Sequence, residues 1–267
     1  MSKQPRLAAG RARALGRPTR GTTHPNRLRR MDNWIATQQA GRLRTAASPL
    51  MVDLGYGHAP ITAIELLARL RRVRPDVHVL GLEIDIERVA SAKPFSHPDL
   101  SFERGGFELA ERRPVLVRAA NVLRQYPEDA VAQSWRTMQE SLAPGGMIVE
   151  GTCDELGRRG SWVLLDAERP LSLTLFSRLD TIQRPSDIAE RLVKGLIHRN
   201  VCGEPIHALF QDLDATWDRH AALSAFGPRQ RWQATCASVA DRWPVLSNGS
   251  RHRLGELTIA WTAVAGS

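Results

Sequence analysis

Residues 51–60 read MVDLGYGHAP. A short apolar run ends in a carboxylate, Asp53, and is followed by Gly55-Tyr56-Gly57. The surrounding PLMVDLG (49–55) predicts a buried strand, and PITAIELLARLRRV (60–73) predicts a helix with Pro60 in its first turn. A Gly-x-Gly turn between a first strand and its helix lets the backbone approach a ligand closely, at the carboxyl edge where open α/β sheets bind ligands. A dinucleotide fingerprint would continue to a third glycine three residues on, but Pro60 stands there, and Asp53 would lie near a pyrophosphate. Both points disfavour NAD or FAD. An acid beside the turn suits a ligand with a cationic amino-acid moiety and a nucleoside.

Working outward, VHVLGLEID (77–85) predicts a second strand and IERVASA (86–92) a second helix ended by Pro94. LSFERG (100–105) predicts a third strand. RPVLVRAANVL (113–123) predicts a fourth, apolar on both faces as a parallel-sheet strand should be. A helix over 128–143 stops at Pro144-Gly145-Gly146, and GGMIVEGTC (145–153) predicts a fifth strand. This alternation predicts an α/β fold, a doubly wound Rossmann-like sheet, mostly parallel. SWVLLDAERPLSLTLF (161–176) reads as two strands joined by a turn, residues 185–243 as mainly helical, and GELTIAWTAVA (255–265) as a last strand. Upstream, Leu28, Met31 and Trp34 or Ile35 recur at helical spacing, with Asn26 as N-cap. The expected organisation is a disordered basic arm over 1–20, a core over 21–180, and a mainly helical C-terminal extension over 181–267 packed on the core.

The net charge is +9 over 267 residues. Residues 1–30 hold Lys3, Arg6, Arg11, Arg13, Arg17, Arg20, Arg27, Arg29 and Arg30 and no acid, so the remaining residues sum to zero. Such an arm can neutralise phosphates or remain a solvated tail. No apolar run approaches the roughly 18 residues of a membrane span. Cys153, Cys202 and Cys236 are odd in number and lack CxxC spacing, which fits a reducing, cytoplasmic setting.

With these residues the chain resembles the class I S-adenosylmethionine-dependent methyltransferases, whose first motif is an acid followed by G-x-G. VDLGYGHA matches at Asp53, Gly55 and Gly57, with Ala59 where the family often has a third glycine. VLGLEID ends in Glu83, where the family has an acid for the two ribose hydroxyls; Asp85 is the less suited neighbour. In GGFEL, Phe107 would stack on adenine and Glu108 would accept its amino group. The fourth motif, LVRAANVLRQY, offers Arg118, Asn121, Arg124, Gln125 and Tyr126, and LAPGGMIVE matches the segment before the fifth strand. The match covers roughly residues 49–153. It implies S-adenosyl-L-methionine as cofactor, held by Asp53, Gly55, Tyr56, Gly57, Glu83 and Phe107, with Asn121 and Tyr126 near the transferred methyl. Trp34, on the helix before the first strand, would fold over the cofactor as a lid.

Methyl transfer is an in-line displacement in which the enzyme mostly supplies positioning. A base is needed only where the nucleophile must lose a proton early. His198 is a candidate base or substrate contact, and equally a hydrogen-bonded core histidine. His198, His207 and His220 have no metal-ligand spacing, so no metal is expected. No [DN]PP[YF] follows the fourth strand, and G-x-S-x-G, P-loop and H-E-x-x-H motifs are absent. The substrate is a small molecule, or RNA tracked by the arm. Outside enzymes, the chain would be a cofactor-binding domain without transfer activity that acts as an interaction protein. Oligomeric state and acceptor atom are open.

Overall fold

The computed structural model describes residues 24–266. The basic arm expected over 1–20 lies outside the described residues. The chain forms two compact units divided between Val149 and Glu150.

The first unit opens with helices α1 (Arg29–Gln38) and α2 (Ala40–Thr45). Met31, Trp34 and Ile35 are buried on one stripe of α1, as their spacing predicts. Asn26 does not cap this helix. It sits in a turn at φ 62°, its N–H donates to Glu65 Oε1 at 2.7 Å, and its Oδ1 accepts from Arg69 at 2.7 Å. A residue fastened sideways to another helix is not placed to reach the N–H groups of the first turn, and Leu28 occupies the cap without a side-chain bond.

Strand β1 (Leu50–Leu54) leads through the glycine turn into α3 (Ile61–Leu70). Thr62, Ala63, Leu66, Leu67 and Leu70 give α3 its buried stripe. β2 (His78–Glu83) precedes α4 (Ile86–Ala92), which Asp85 caps by accepting from the N–H groups of Glu87 and Arg88 at 2.9 and 3.3 Å. β3 (Leu100–Arg104) and β4 (Leu116–Ala120) complete the parallel pairs: β1 lies between β2 and β4, and β2 between β1 and β3. This is the doubly wound order predicted, with the chain reversing direction across the sheet at β1. β4 is shorter than the expected 113–123, because Asn121 turns left-handed at φ 62° and ends the extended run. α5 (Ala130–Glu140) is shorter than 128–143 and buries Val131, Ser134, Trp135, Met138 and Gln139. β5 (Met147–Cys153) begins beside β4, where the Met147 N–H donates to the Val115 carbonyl at 3.0 Å.

The second unit contains an antiparallel meander of β6 (Arg159–Leu165), β7 (Pro170–Ser177) and β8 (Glu256–Ala260). Trp162 and Phe176 pack at 5.0 Å between ring centroids. Between β7 and β8 the chain is mainly helical, as expected, through α6 (Pro205–Arg219), α7 (Pro228–Val239) and short turns. The last strand stops at Ala260, short of 265, because residues 261–263 form a 3₁₀ turn. No helix of the described residues is long and apolar enough to cross a membrane.

Candidate functional site

The carboxyl edge of the first unit's parallel strands gathers the residues singled out above. After β1 the chain turns at Gly55 (φ 70°) and Gly57 (φ 87°), a left-handed region that penalises side chains. The Gly55 N–H donates to the Leu82 carbonyl at 2.7 Å, so the turn is fastened to the end of β2. The Gly57 N–H donates to Glu83 Oε2 at 3.1 Å. Glu83 is buried, and its Oε1 accepts from the N–H of Ile84 at 2.9 Å and, more weakly, of Asp85 at 3.4 Å. Arg88 reaches Oε2 at 3.5 Å. Of the two acids that end the second strand, Glu83 faces the glycine turn, whereas Asp85 is occupied with capping α4.

Tyr56, between the two glycines, is buried. Its ring meets Phe102 edge-on at 5.2 Å, and its hydroxyl donates to the Arg88 carbonyl at 3.4 Å. Burial, then the nearby Glu83 charge, push its phenol well above the usual range. Gly81 makes room for this packing: a Cβ there would lie 2.6 Å from Phe102 and 3.0 Å from Tyr56. The ring of Tyr56 therefore belongs to the wall of the turn.

Beyond β3, Phe107 is half-buried and packs against half-buried Tyr126 at 5.2 Å, with planes 63° apart. The fold thus pairs a residue expected near adenine with one expected near the methyl group. Asn121 lies between β4 and Tyr126 in its left-handed conformation. Glu108 accepts from the Gly106 N–H at 2.7 Å, a bond within the loop. Leu109, Ala110 and Glu111 follow at φ 54°, 51° and 61°. Three consecutive non-glycine residues in that region carry strain of about 1–2 kcal/mol each.

Asp53 is buried inside β1 and fully engaged. Thr62 Oγ1 donates to its Oδ2 at 2.9 Å, Arg118 Nε donates to its Oδ1 at 3.0 Å, and Arg118 Nη2 lies 2.6 Å from Oδ2. Arg118 stands opposite Asp53 in the β1–β4 register, in mid-strand and not at its end. Its Nη1 donates to Asp32 of α1, whose other oxygen accepts from Arg69 at 3.0 Å. Burial alone would favour a neutral Arg118, but the carboxylates of Asp32 and Asp53 outweigh it and hold the guanidinium charged. Burial raises Asp32 to about 6 against the lowering pull of Arg118 and Arg69.

Sequence reasoning placed Asp53 and Arg118 in the neighbourhood but missed their pairing, and missed Asp32 altogether. The signal was an arginine inside the apolar run LVRAA and an acid on the apolar face of a helix. Trp34, on the same helix, is buried. In the second unit, His198 is exposed, with Nε2 2.9 Å from Lys194 Nζ. No cluster of three or more His, Cys, Asp or Glu that would hold a metal occurs among the described residues.

No protein-family model matches the chain, and no curated protein matches it in sequence. Among solved structures it is similar to the plantazolicin methyltransferase BamL in complex with a triazolic substrate analogue and S-adenosylhomocysteine, at 12% identity and a TM-score of 0.37, over 48% of this chain and 46% of that one. It is similar to human N-acetylserotonin methyltransferase in complex with S-adenosylmethionine, at 22% identity and 0.32, over 46% and 36%. A third is the magnesium protoporphyrin IX methyltransferase of Synechocystis PCC 6803 with bound S-adenosylhomocysteine, at 13% and 0.34, over 46% and 53%. The chain spans about half or less of the length of each.

Proposed function

We propose that this chain is an S-adenosylmethionine-dependent methyltransferase. The observation that carries the reading is the junction of two strand ends: the buried Glu83 carboxylate beside the left-handed Gly57 turn. A carboxylate has about four acceptor positions. Glu83 accepts backbone bonds at 2.9 and 3.1 Å, and its contacts of 3.4 and 3.5 Å are long enough for a vicinal diol to replace. The donor and acceptor set therefore fits a nucleoside ribose. Residues Gly55, Tyr56, Gly57, Glu83 and Phe107 would hold the cofactor, Asp53 indirectly from behind the turn and Tyr56 through its backbone, since its ring is packed on Phe102. When bound, the cofactor supplies a methyl group on a cationic sulfur.

The chain's own contribution is orientation. The glycine turn admits close approach, Glu83 fixes the ribose, and the Phe107–Tyr126 corner offers aromatic surface for a planar ring. Asn121 and Tyr126 are the residues we assign beside the reacting methyl. Transfer to an acceptor without an acidic proton needs no base; otherwise the proton leaves to water or to the substrate's own groups. The substrate class we favour is a small molecule, taken in a cytoplasmic setting. RNA is the second reading, favoured by nine cationic residues and no acid within residues 1–30.

Calorimetric titration with S-adenosylhomocysteine, beside NAD, tests the reading. The expected result is a Kd on the order of micromolar for the nucleoside product, no binding of NAD, and loss of binding in Glu83→Ala with its fold intact by circular dichroism. A folded wild-type protein that does not bind the product overturns the proposal.

A further inference from the structure

The glycine turn is held from behind by a buried ionic chain that runs from α1 through β4 to β1. Arg118, the charged residue of β4, has no exposed side-chain surface. One edge of its guanidinium faces Asp53 and the other end donates to Asp32, which has none either. The groups facing Asp32 are Arg118 from β4, Arg69 from α3 and Asp53 from β1, and Arg69 also reaches Glu65 at 3.5 Å. Both oxygens of Asp53 are taken, by Arg118 and by Thr62 of α3. Well-packed apolar residues would serve stability as well as such a set does. What the ions add is direction, since a two-pronged guanidinium admits one orientation of the carboxylate it grips. Two residues beyond that carboxylate is Gly55, where the turn begins.

We propose that Arg118 is a positioning residue for the cofactor site, acting through Asp53, and that Asp32 in turn positions Arg118, so that the seat of α1 and the shape of the glycine turn are set together. This rests on the methyltransferase reading. The family-like acid Asp53 thereby serves as a charge-compensated anchor for the turn, not as a free anion offered to the ligand. The chain has a built-in weak link. Burial lifts the Asp32 carboxyl toward about 6, against the pull of Arg118 and Arg69, so falling pH favours its protonation. Protonated, it leaves Arg118 with Asp53 as its single anionic partner in this chain of contacts, and the grip on the turn slackens.

The test is calorimetric titration with S-adenosylhomocysteine at about pH 8 and about pH 5 on wild type, Asp32→Asn and Arg118→Lys, each with a thermal melt at both values. The wild type should bind about tenfold more weakly at the lower pH, a change of about 1.4 kcal/mol. Asp32→Asn should bind at the higher pH as weakly as wild type does at the lower, with little further change. Arg118→Lys, which keeps the charge but loses the fork, should fall between wild type and Asp32→Asn at the higher pH. A merely structural role would lower melting temperatures without moving the pH profile of affinity. Wild-type affinity that is equal at both values, or an Asp32→Asn variant with the wild-type profile, overturns the inference while leaving the methyltransferase reading intact. Absence of wild-type binding at the higher pH overturns both.

Discussion

The two units handle backbone strain and buried charge differently. Every non-glycine residue with positive φ among the described residues, namely Asn26, Leu109, Ala110, Glu111 and Asn121, belongs to the first unit. In the second, the left-handed positions 157, 203, 227, 255 and 266 are all glycine. Each unit also buries an ion pair. In the second it is local, Arg251 with Glu256, five residues apart. In the first, Arg118 reaches partners 65 and 86 residues away. A relaxed meander with a local pair is what packing alone asks for. Strain at the ends of β3 and β4, above a long-range ionic clamp, marks the edge that was shaped for something else.

Substitutions can break this contrast. The largest effect is expected for Arg118→Met, which leaves Asp32 and Asp53 buried without their shared cation and should cost about 3–5 kcal/mol in urea unfolding. Arg251→Met strands one carboxylate and should cost less; the reverse order would undo the contrast. Next come two matched glycines. Gly57→Ala and Gly203→Ala both force alanine into the left-handed region, at φ 87° and 94°, and each should cost about 1–2 kcal/mol. Only the first should abolish S-adenosylhomocysteine binding, since the second lies in open space. A smaller effect of opposite sign is expected at Ala110, where Ala110→Gly relieves strain and should raise stability by about 0.5–1 kcal/mol; a loss would show that the left-handed run is not strained. The last test is a pH effect, set apart because its size follows from the Asp32 shift alone. Because the folded pKa of Asp32 lies above its unfolded value of 3.8, at about 6, its contribution to stability is fully present below about 3.8 and is lost as pH rises through about 6. The stability of wild type relative to Asp32→Asn should therefore decline between these values in thermal melts.

Most of the parallel unit was legible because its signals are local. An apolar run, two glycines, an acid at the next strand's end and Pro-Gly-Gly before β5 each state their own position. The antiparallel meander was legible for the same reason. Asp85 looked like a rival to Glu83 until the cap of α4 claimed it. The Asp32–Arg118–Asp53 chain was not legible, since it depends on the β1–β4 register and on how α1 seats. Nor was the left-handed run at Leu109–Glu111, because none of these residue types announces positive φ. The placement of Phe107 against Tyr126 depends on two loops whose ends are 19 residues apart, and no periodicity connects them.

The length of the clamp bears on how the chain reaches its fold. Contacts that close loops of 65 and 86 residues are paid in chain entropy before they return anything, and their charges shed water only when the surrounding strands have docked. The expectation is that the clamp assembles after the rate-limiting step of folding. Its strength is felt in how slowly the native state comes apart, and Arg118→Met should open the unfolding limb of the chevron while leaving the folding limb almost where it was.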